Sequence, residues 1–316
     1  MLPSVLQRST TDHVPVLAEE VRRLVAVRPG ETIVDATFGA GGHAALLASD
    51  LEGRGRLIAI DRDPNVRPYF ESFRRRFGSL QARLLRGEFS LVLEQLAGNG
   101  VEADVVLLDL GISSMQIDRP ERGFSYAVDA PLDMRMDPSA GLSARELVNE
   151  ESEKELARIF KQYGEERYAR QIARAITQRR PLETTAELVD VIRSAIPAPA
   201  RFGEGHPAKR VFQALRIAVN DELGVLERAL PASLEMLRPG GRLAVISFHS
   251  LEDRLVKTFM RDAERGCTCP PDFPVCVCGN EPLLRAVSRK PVRPSADELA
   301  RNPRSASARL RVAVKT

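Results

Sequence analysis

Between Thr32 and Leu110 four short apolar runs are separated by three stretches that each pass through a turn into an amphipathic segment. The runs are Thr32 to Asp35, Arg56 to Asp61, Ala82 to Leu85 and Ala103 to Leu110. They lack the polar alternation of a strand with one wet face. Apolar strands separated by helices imply a parallel sheet covered on both sides, so the fold class is α/β. The helices are expected from His43, from Pro64, whose ring suits a first turn, and from Phe89.

The rhythm then stops. The next apolar run, Gly241 to Phe248, comes about 130 residues after Leu110. A crossover between parallel strands needs only about a dozen residues or slightly more, so something is inserted. The insertion reads as helical. Leu156, Ile159, Phe160 and Tyr163 follow helical spacing, and Tyr168, Ile172, Ala175 and Ile176 repeat it. Thr184 and Glu187 form a capping-box pattern ahead of Leu188, Ile192 and Ile196. Pro207 to Leu230 reads as one long helix returning to the sheet, and two further strands are expected near Leu283 to Val287 and Ala308 to Val314.

Composition narrows the function classes. With 43% hydrophobic and 28% charged residues the chain is ordinary globular protein. No run approaches the roughly 18 apolar residues of a membrane span. Met1 to Thr10 has no apolar core like that of a secretory signal, so a cytoplasmic protein without a membrane partner is expected. From Arg285 to Lys315 nine basic residues face two acidic ones, a net +7, which leaves −4 on the rest of a chain whose total is +3. Such a tail suits a polyanion. All four cysteines fall in Cys267-x-Cys269-x6-Cys276-x-Cys278, where four thiolates suit one structural zinc ion rather than scattered disulfides.

The motif Val34-Asp35-Ala-Thr-Phe-Gly39-Ala-Gly41-Gly42-His43 takes a strand through an acid and a glycine turn into a helix. Glycines admit positive φ and close ligand approach, and the helix N-terminus offers free N–H groups. Asp61 ends the second strand 19 residues past Gly42, the spacing at which a carboxylate accepts from both ribose hydroxyls. Together these imply an adenosine-containing cofactor. A nicotinamide-dependent oxidoreductase shares both features. However, Asp35 beside a pyrophosphate is unfavourable, whereas beside an ammonium group it is favourable. The helix, Pro239-Gly-Gly241 and the following strand also resemble the late helix–strand unit of class I methyltransferases.

A closer resemblance rests on VDATFGAGGH (Val34–His43), IAIDRDP (Ile58–Pro64), DLGISSMQID (Asp109–Asp118), ERGFSY (Glu121–Tyr126), PLDMRMD (Pro131–Asp137), YGEER (Tyr163–Arg167), HPAKRVFQ (His206–Gln213) and ISFHSLEDR (Ile246–Arg254). From near His13 to near Val314 the chain resembles the bacterial methyltransferases that act on the exocyclic N4 amine of a cytidine in 16S ribosomal RNA. The resemblance implies S-adenosyl-L-methionine as methyl donor and the decoding region of the assembled small ribosomal subunit as target. It also implies a Rossmann-like class I methyltransferase core, here 1–120 with 209–316, and an inserted, mostly helical domain over 121–208 that recognises RNA. Carried over residue by residue, Gly41, Gly42, His43, Asp61, Phe89, Asp109 and Gln116 hold the cofactor. Asp109, ending the fourth strand, is the candidate carboxylate for the amine, and His249 the candidate partner from the other side. The chain departs from many amino-methyltransferases in having no aromatic directly after Asp109, and Phe124 or Tyr126 is the substitute expected from the next loop. A non-catalytic RNA-binding or assembly protein on the same fold is the remaining alternative, disfavoured by the intact glycine turn and Asp61.

Overall fold

The computed structural model describes residues 15–139, 141–201, 206–266, 269–270, 273–275 and 277–316. Helix α1 (Ala18–Val25) leads into β1 (Thr32–Asp35), α2 (Gly42–Asp50), β2 (Arg56–Asp61), α3 (Arg67–Arg76), β3 (Gln81–Arg86), α4 (Phe89–Gly98) and β4 (Ala103–Asp109). The inserted helices follow: α5 (Ser114–Ile117), α6 (Ala144–Glu150), α7 (Glu153–Gly164), α8 (Ala169–Arg179), α9 (Thr185–Ala195) and α10 (Ala198–Arg201). Helices α11 (Lys209–Asn220) and α12 (Glu222–Met236) return the chain to β5 (Leu237–Ser247), α13 (Ser250–Arg265), β6 (Leu284–Ala286), α14 (Ala296–Arg301) and β7 (Arg309–Lys315).

The seven strands form one sheet in the order β3-β2-β1-β4-β5-β7-β6. The first five are mutually parallel, while β7 runs antiparallel between β5 and β6. Successive strand residues point to opposite faces, so an unalternating apolar run feeds two cores at once. Ile33, Leu57, Val105 and Ala244 pack under α1, α2 and α3, whereas Val34, Ile58, Val106 and Val245 pack under α4, α12 and α13. Each buried Leu, Ile or Val contributes about 1.5–3 kcal/mol. Strand order reverses between β1 and β4, and the crevice outside the carboxyl ends of such a pair is where open α/β sheets bind ligands.

The insertion has its own apolar cluster. The anticipated stripes on α7, α8 and α9 are buried there, joined by Leu132 and Met134 and by Val211, Phe212, Ala214 and Leu215 of α11. The Thr184–Glu187 capping box forms as read, and Ser143 with Glu146 makes a second. The single helix anticipated over Pro207 to Leu230 is instead two, because Asp221 is left-handed at φ 49°. The break is fixed by long-range polar bonds. Asn220 accepts from Met136 N at 2.8 Å and donates to Met134 O at 2.8 Å, while Arg62 donates to the Asn220 carbonyl at 2.9 Å. The Pro-Gly-Gly segment lies within β5, where the register with β4 shifts between Ala103 and Val105.

Candidate active site

A cavity of about 310 Å³ opens at the carboxyl ends of β1, β2 and β4, within the usual range for small-ligand sites. Its wall includes Gly42, His43, Asp61, Phe89, Asp109 and Gln116, so residues scattered over 75 positions of sequence meet at one place. Gly41 sits just behind, at φ 80°. A Cβ there would lie 2.7 Å from the Phe38 ring, so the turn admits no larger residue without rearrangement. Gly42 and His43, at the α2 start where backbone N–H groups lack helical partners, line the cavity.

Asp61 accepts from Gly39 N at 2.7 Å through one oxygen and from Asp63 N at 2.9 Å through the other. A carboxylate has about four acceptor positions, so each oxygen keeps one for a ligand hydroxyl. Burial raises the Asp61 pKa, and these backbone bonds only partly offset it. Asp63, two residues on, caps the turn that begins at Pro64. It accepts from Asn65 N at 2.9 Å.

His43, Asp109 and Asp35 form the polar centre. His43 Nε2 lies 2.8 Å from the Val16 carbonyl, and Nδ1 lies 3.3 Å from Asp109 Oδ2. Asp109 Oδ1 is buried without a hydrogen-bond partner. Burial pushes the Asp35 carboxyl up to about 7, against the pull of His43 and the Thr37 N–H. For His43 burial acts downward, but Asp109, the Val16 carbonyl and Asp35 outweigh it and the net shift is upward.

Gln116 is committed to the protein at both ends. Nε2 donates to Asp63 Oδ2 at 3.0 Å and Oε1 accepts from Ser113 N at 3.0 Å. It braces the loop after β4 while one surface lines the cavity. His249 is not among the lining residues. It caps α13, accepting from Glu252 N through Nδ1 at 3.3 Å, with Nε2 3.2 Å from Glu252 Oε1. The neighbours Phe248 and Glu252 reach the cavity instead.

Phe124 and Tyr126 are not at the cavity. The Phe124 ring lies beside Arg122, and Tyr126 stacks on His206 with ring centroids 4.5 Å apart. Phe248, from the neighbouring strand, is the aromatic beside the β4 loop. A Cβ on Gly111 would meet its ring at 3.7 Å. Sequence reading also missed Arg216, Glu222 and Glu252. Arg216 pairs with Glu222 through two bonds of 2.7 and 2.8 Å. Their signal is absent from sequence because α11 and α12 only face each other across the Asp221 break.

Glu222, His249 and Glu252 have ligand atoms within 4.8 Å of one another, the only such group among the described residues. Their bonds do not suit a metal. Glu222 is held by Arg216, and His249 Nδ1 accepts an N–H, which places the ring proton on Nε2. The four-cysteine zinc expectation includes Cys267 and Cys276, which lie outside the described residues. Cys269 accepts from Val277 N at 3.3 Å.

The basic tail is partly structural. Arg309 and Arg311 hold Asp253 at 2.9 and 2.8 Å, and Lys315 donates to the Leu237 carbonyl at 2.6 Å. Arg285, Arg289, Lys290 and Arg293 are exposed. No helix among the described residues is long and apolar enough to cross a membrane.

The sequence model of the MraW methylase family matches residues 10–316. A ribosomal RNA small subunit methyltransferase H of Heliobacterium modesticaldum is 54% identical over 308 residues, 96% of this chain and 98% of that protein. One of Symbiobacterium thermophilum is also 54% identical over 96% of both chains. One of Geobacter sulfurreducens is 51% identical over 97% of this chain and 99% of that protein.

Proposed function

The chain belongs to the MraW methylase family, and from that premise we propose that it transfers a methyl group from S-adenosylmethionine to the exocyclic N4 amine of a cytidine in the decoding region of 16S ribosomal RNA. The observation that carries this reading is Asp109 Oδ1, an unpartnered acceptor on a cavity-lining carboxylate beside a glycine turn and a ribose-type acid. The full-length relatives named as ribosomal RNA small subunit methyltransferases supply the substrate class.

The residues present suit the methyl donor. Asp61 has acceptor positions for ribose hydroxyls, Phe89 offers an apolar wall for adenine, and the α2 start, with Asp35 buried behind it, suits the methionine end. When bound, S-adenosylmethionine supplies a methyl group already activated on a sulfonium. The chain's task is to hold a poor nucleophile in line, since the cytosine amine lone pair is delocalised into the ring. Asp109 accepts a hydrogen bond from that amine and favours the nitrogen as it becomes cationic. Phe248 offers its ring face to a base taken out of its stack. His249 acts behind this line, fixing Glu252 and the start of α13. The proposed unit for RNA recognition is the insertion, 121–208, beside the 1–120 and 209–316 core in the small ribosomal subunit.

Nucleoside mass spectrometry of 16S ribosomal RNA from a strain lacking this gene tests the reading. Loss of one N4-methylated cytidine, restored by the wild-type gene but not by Asp109→Ala, is the expected result. An unchanged nucleoside profile overturns it.

A further inference from the structure

The wall of the cavity contains a histidine whose two ring nitrogens both face oxygens that can only accept. Nε2 meets the Val16 carbonyl at 2.8 Å and Nδ1 meets Asp109 Oδ2 at 3.3 Å. A neutral imidazole carries one N–H and satisfies one of these acceptors, whereas the imidazolium satisfies both. The ring is buried, with 6% of its side chain exposed, and sits in the first turn of α2. It therefore has little freedom to turn away. Asp109 is gripped from the backbone side as well, where its N–H donates to Thr37 Oγ1 at 2.6 Å. Of its carboxylate oxygens, one faces His43 and the other has no partner.

The geometry points to His43 as a positioning residue for methyl transfer: anchored on the Val16 carbonyl, its imidazolium holds the Asp109 carboxylate oriented toward the substrate amine. This rests on the role proposed for Asp109 and goes beyond the backbone contact with cofactor expected of the glycine turn. A carboxylate with no fixed donor rotates freely and is easily turned from a reacting amine. A buried donor on one oxygen removes that freedom without using the other oxygen. The upward shift of the His43 pKa, driven by Asp109, agrees with a doubly donating ring.

The amides of asparagine and glutamine separate the two bonds. His43→Asn places an N–H near the position of Nδ1, His43→Gln places one near Nε2, and His43→Ala places neither. Turnover is measured with the full chain, labelled S-adenosylmethionine at saturation, and small ribosomal subunits from a strain lacking the gene. Expected is a fall in kcat of about tenfold or more in His43→Gln and His43→Ala, with His43→Asn within about threefold of wild type. Cofactor affinity by calorimetry stays within about threefold in all three. In an Asp109→Asn background, His43→Ala lowers kcat no further, because the two groups act as one unit. Equal losses in His43→Asn and His43→Gln, or losses confined to cofactor affinity, overturn the positioning role. Wild-type turnover in Asp109→Asn overturns the Asp109 reading itself. Lost turnover there with unaffected His43 variants overturns only the inference about His43. Should His43→Ala fail to fold, the contrast between asparagine and glutamine still decides.

Discussion

Asp61 and Asp63 are two residues apart and belong to two different buried polar regions. Asp61 faces the cavity with His43 and Asp109, and Asp35 is buried behind them. There carboxylates crowd together, one carboxylate oxygen lacks a partner, and burial drives the Asp35 and Asp61 pKa values upward. Asp63 faces the insertion. Arg122 donates to it at 2.9 Å and Gln116 at 3.0 Å, and Arg122 also reaches the carbonyls of Arg135 and Met136. Burial pushes the Asp63 carboxyl up, but the bonds from Asn65, Arg122 and Gln116 outweigh it, leaving it below its ordinary value. Nε of Arg122 is the one nitrogen of that guanidinium buried without a partner. Acids two residues apart thus serve two ends. Saturated groups lock the insertion to the sheet, and unsaturated ones wait for a ligand.

The largest effect should come from breaking the lock. Arg122→Ala leaves Asp63 buried without its cation and should cost about 3–5 kcal/mol of stability. Urea unfolding at neutral pH measures this, and a loss below about 1 kcal/mol would make the junction an ordinary surface pair. Asp109→Ala should act chiefly on turnover, with kcat down about 10²-fold or more at saturating cofactor, the scale of a lost transition-state contact. Near-normal turnover would leave Asp109 as a binding residue. Asp61→Ala removes a charged acceptor whose bonds contribute about 1.5–3 kcal/mol each, so affinity for S-adenosylmethionine should fall at least about tenfold. Unchanged affinity by calorimetry would remove Asp61 from the ribose role.

Two smaller effects sharpen the contrast. An acid whose folded pKa is raised holds its proton longer in the folded state, so stability falls as pH climbs from the unfolded value toward the folded one. For Asp35 that window runs from 3.8 to about 7 in the ligand-free protein. Asp35→Asn should flatten the fall in denaturation midpoint across it, and an unaltered pH profile would show that Asp35 is not the titrating group. On the insertion, Arg170 and Arg179 are exposed, whereas Arg180 donates to the Val148 carbonyl at 2.6 Å. Reversing the charges of Arg170 and Arg179 should lower the salt dependence of RNA binding by about 0.7–0.9 per lost phosphate contact. Arg180→Ala should lower stability instead. If filter binding shows no change of slope, the insertion holds RNA through other groups.

Local pattern was enough for the β1-to-β4 half. Each of its strands is an apolar run, each helix follows a turn, and the glycine turn with Asp61 carries its meaning within about 30 residues of chain. The helical stripes of the insertion were legible for the same reason, since periodicity is a local property. The fold class, the existence of an insertion and the cofactor-side residues Gly42, His43, Asp61, Phe89, Asp109 and Gln116 at the carboxyl edge of the sheet are therefore legible in the chain alone.

Tertiary structure decided which polar groups are free to act. The Pro207 to Leu230 pattern is continuous in sequence, and only the bonds that tie Asn220 to Met136, Met134 and Arg62 break it at Asp221 and bring Glu222 onto Arg216. Phe248 replaces Phe124 and Tyr126 at the cavity because β4 and β5 lie side by side, a relation between residues more than 130 positions apart. His249 turned inward as a helix cap and Gln116 became a brace. A side chain's chemistry is written in its type, but whether its donors and acceptors are spent depends on partners that only the folded chain delivers.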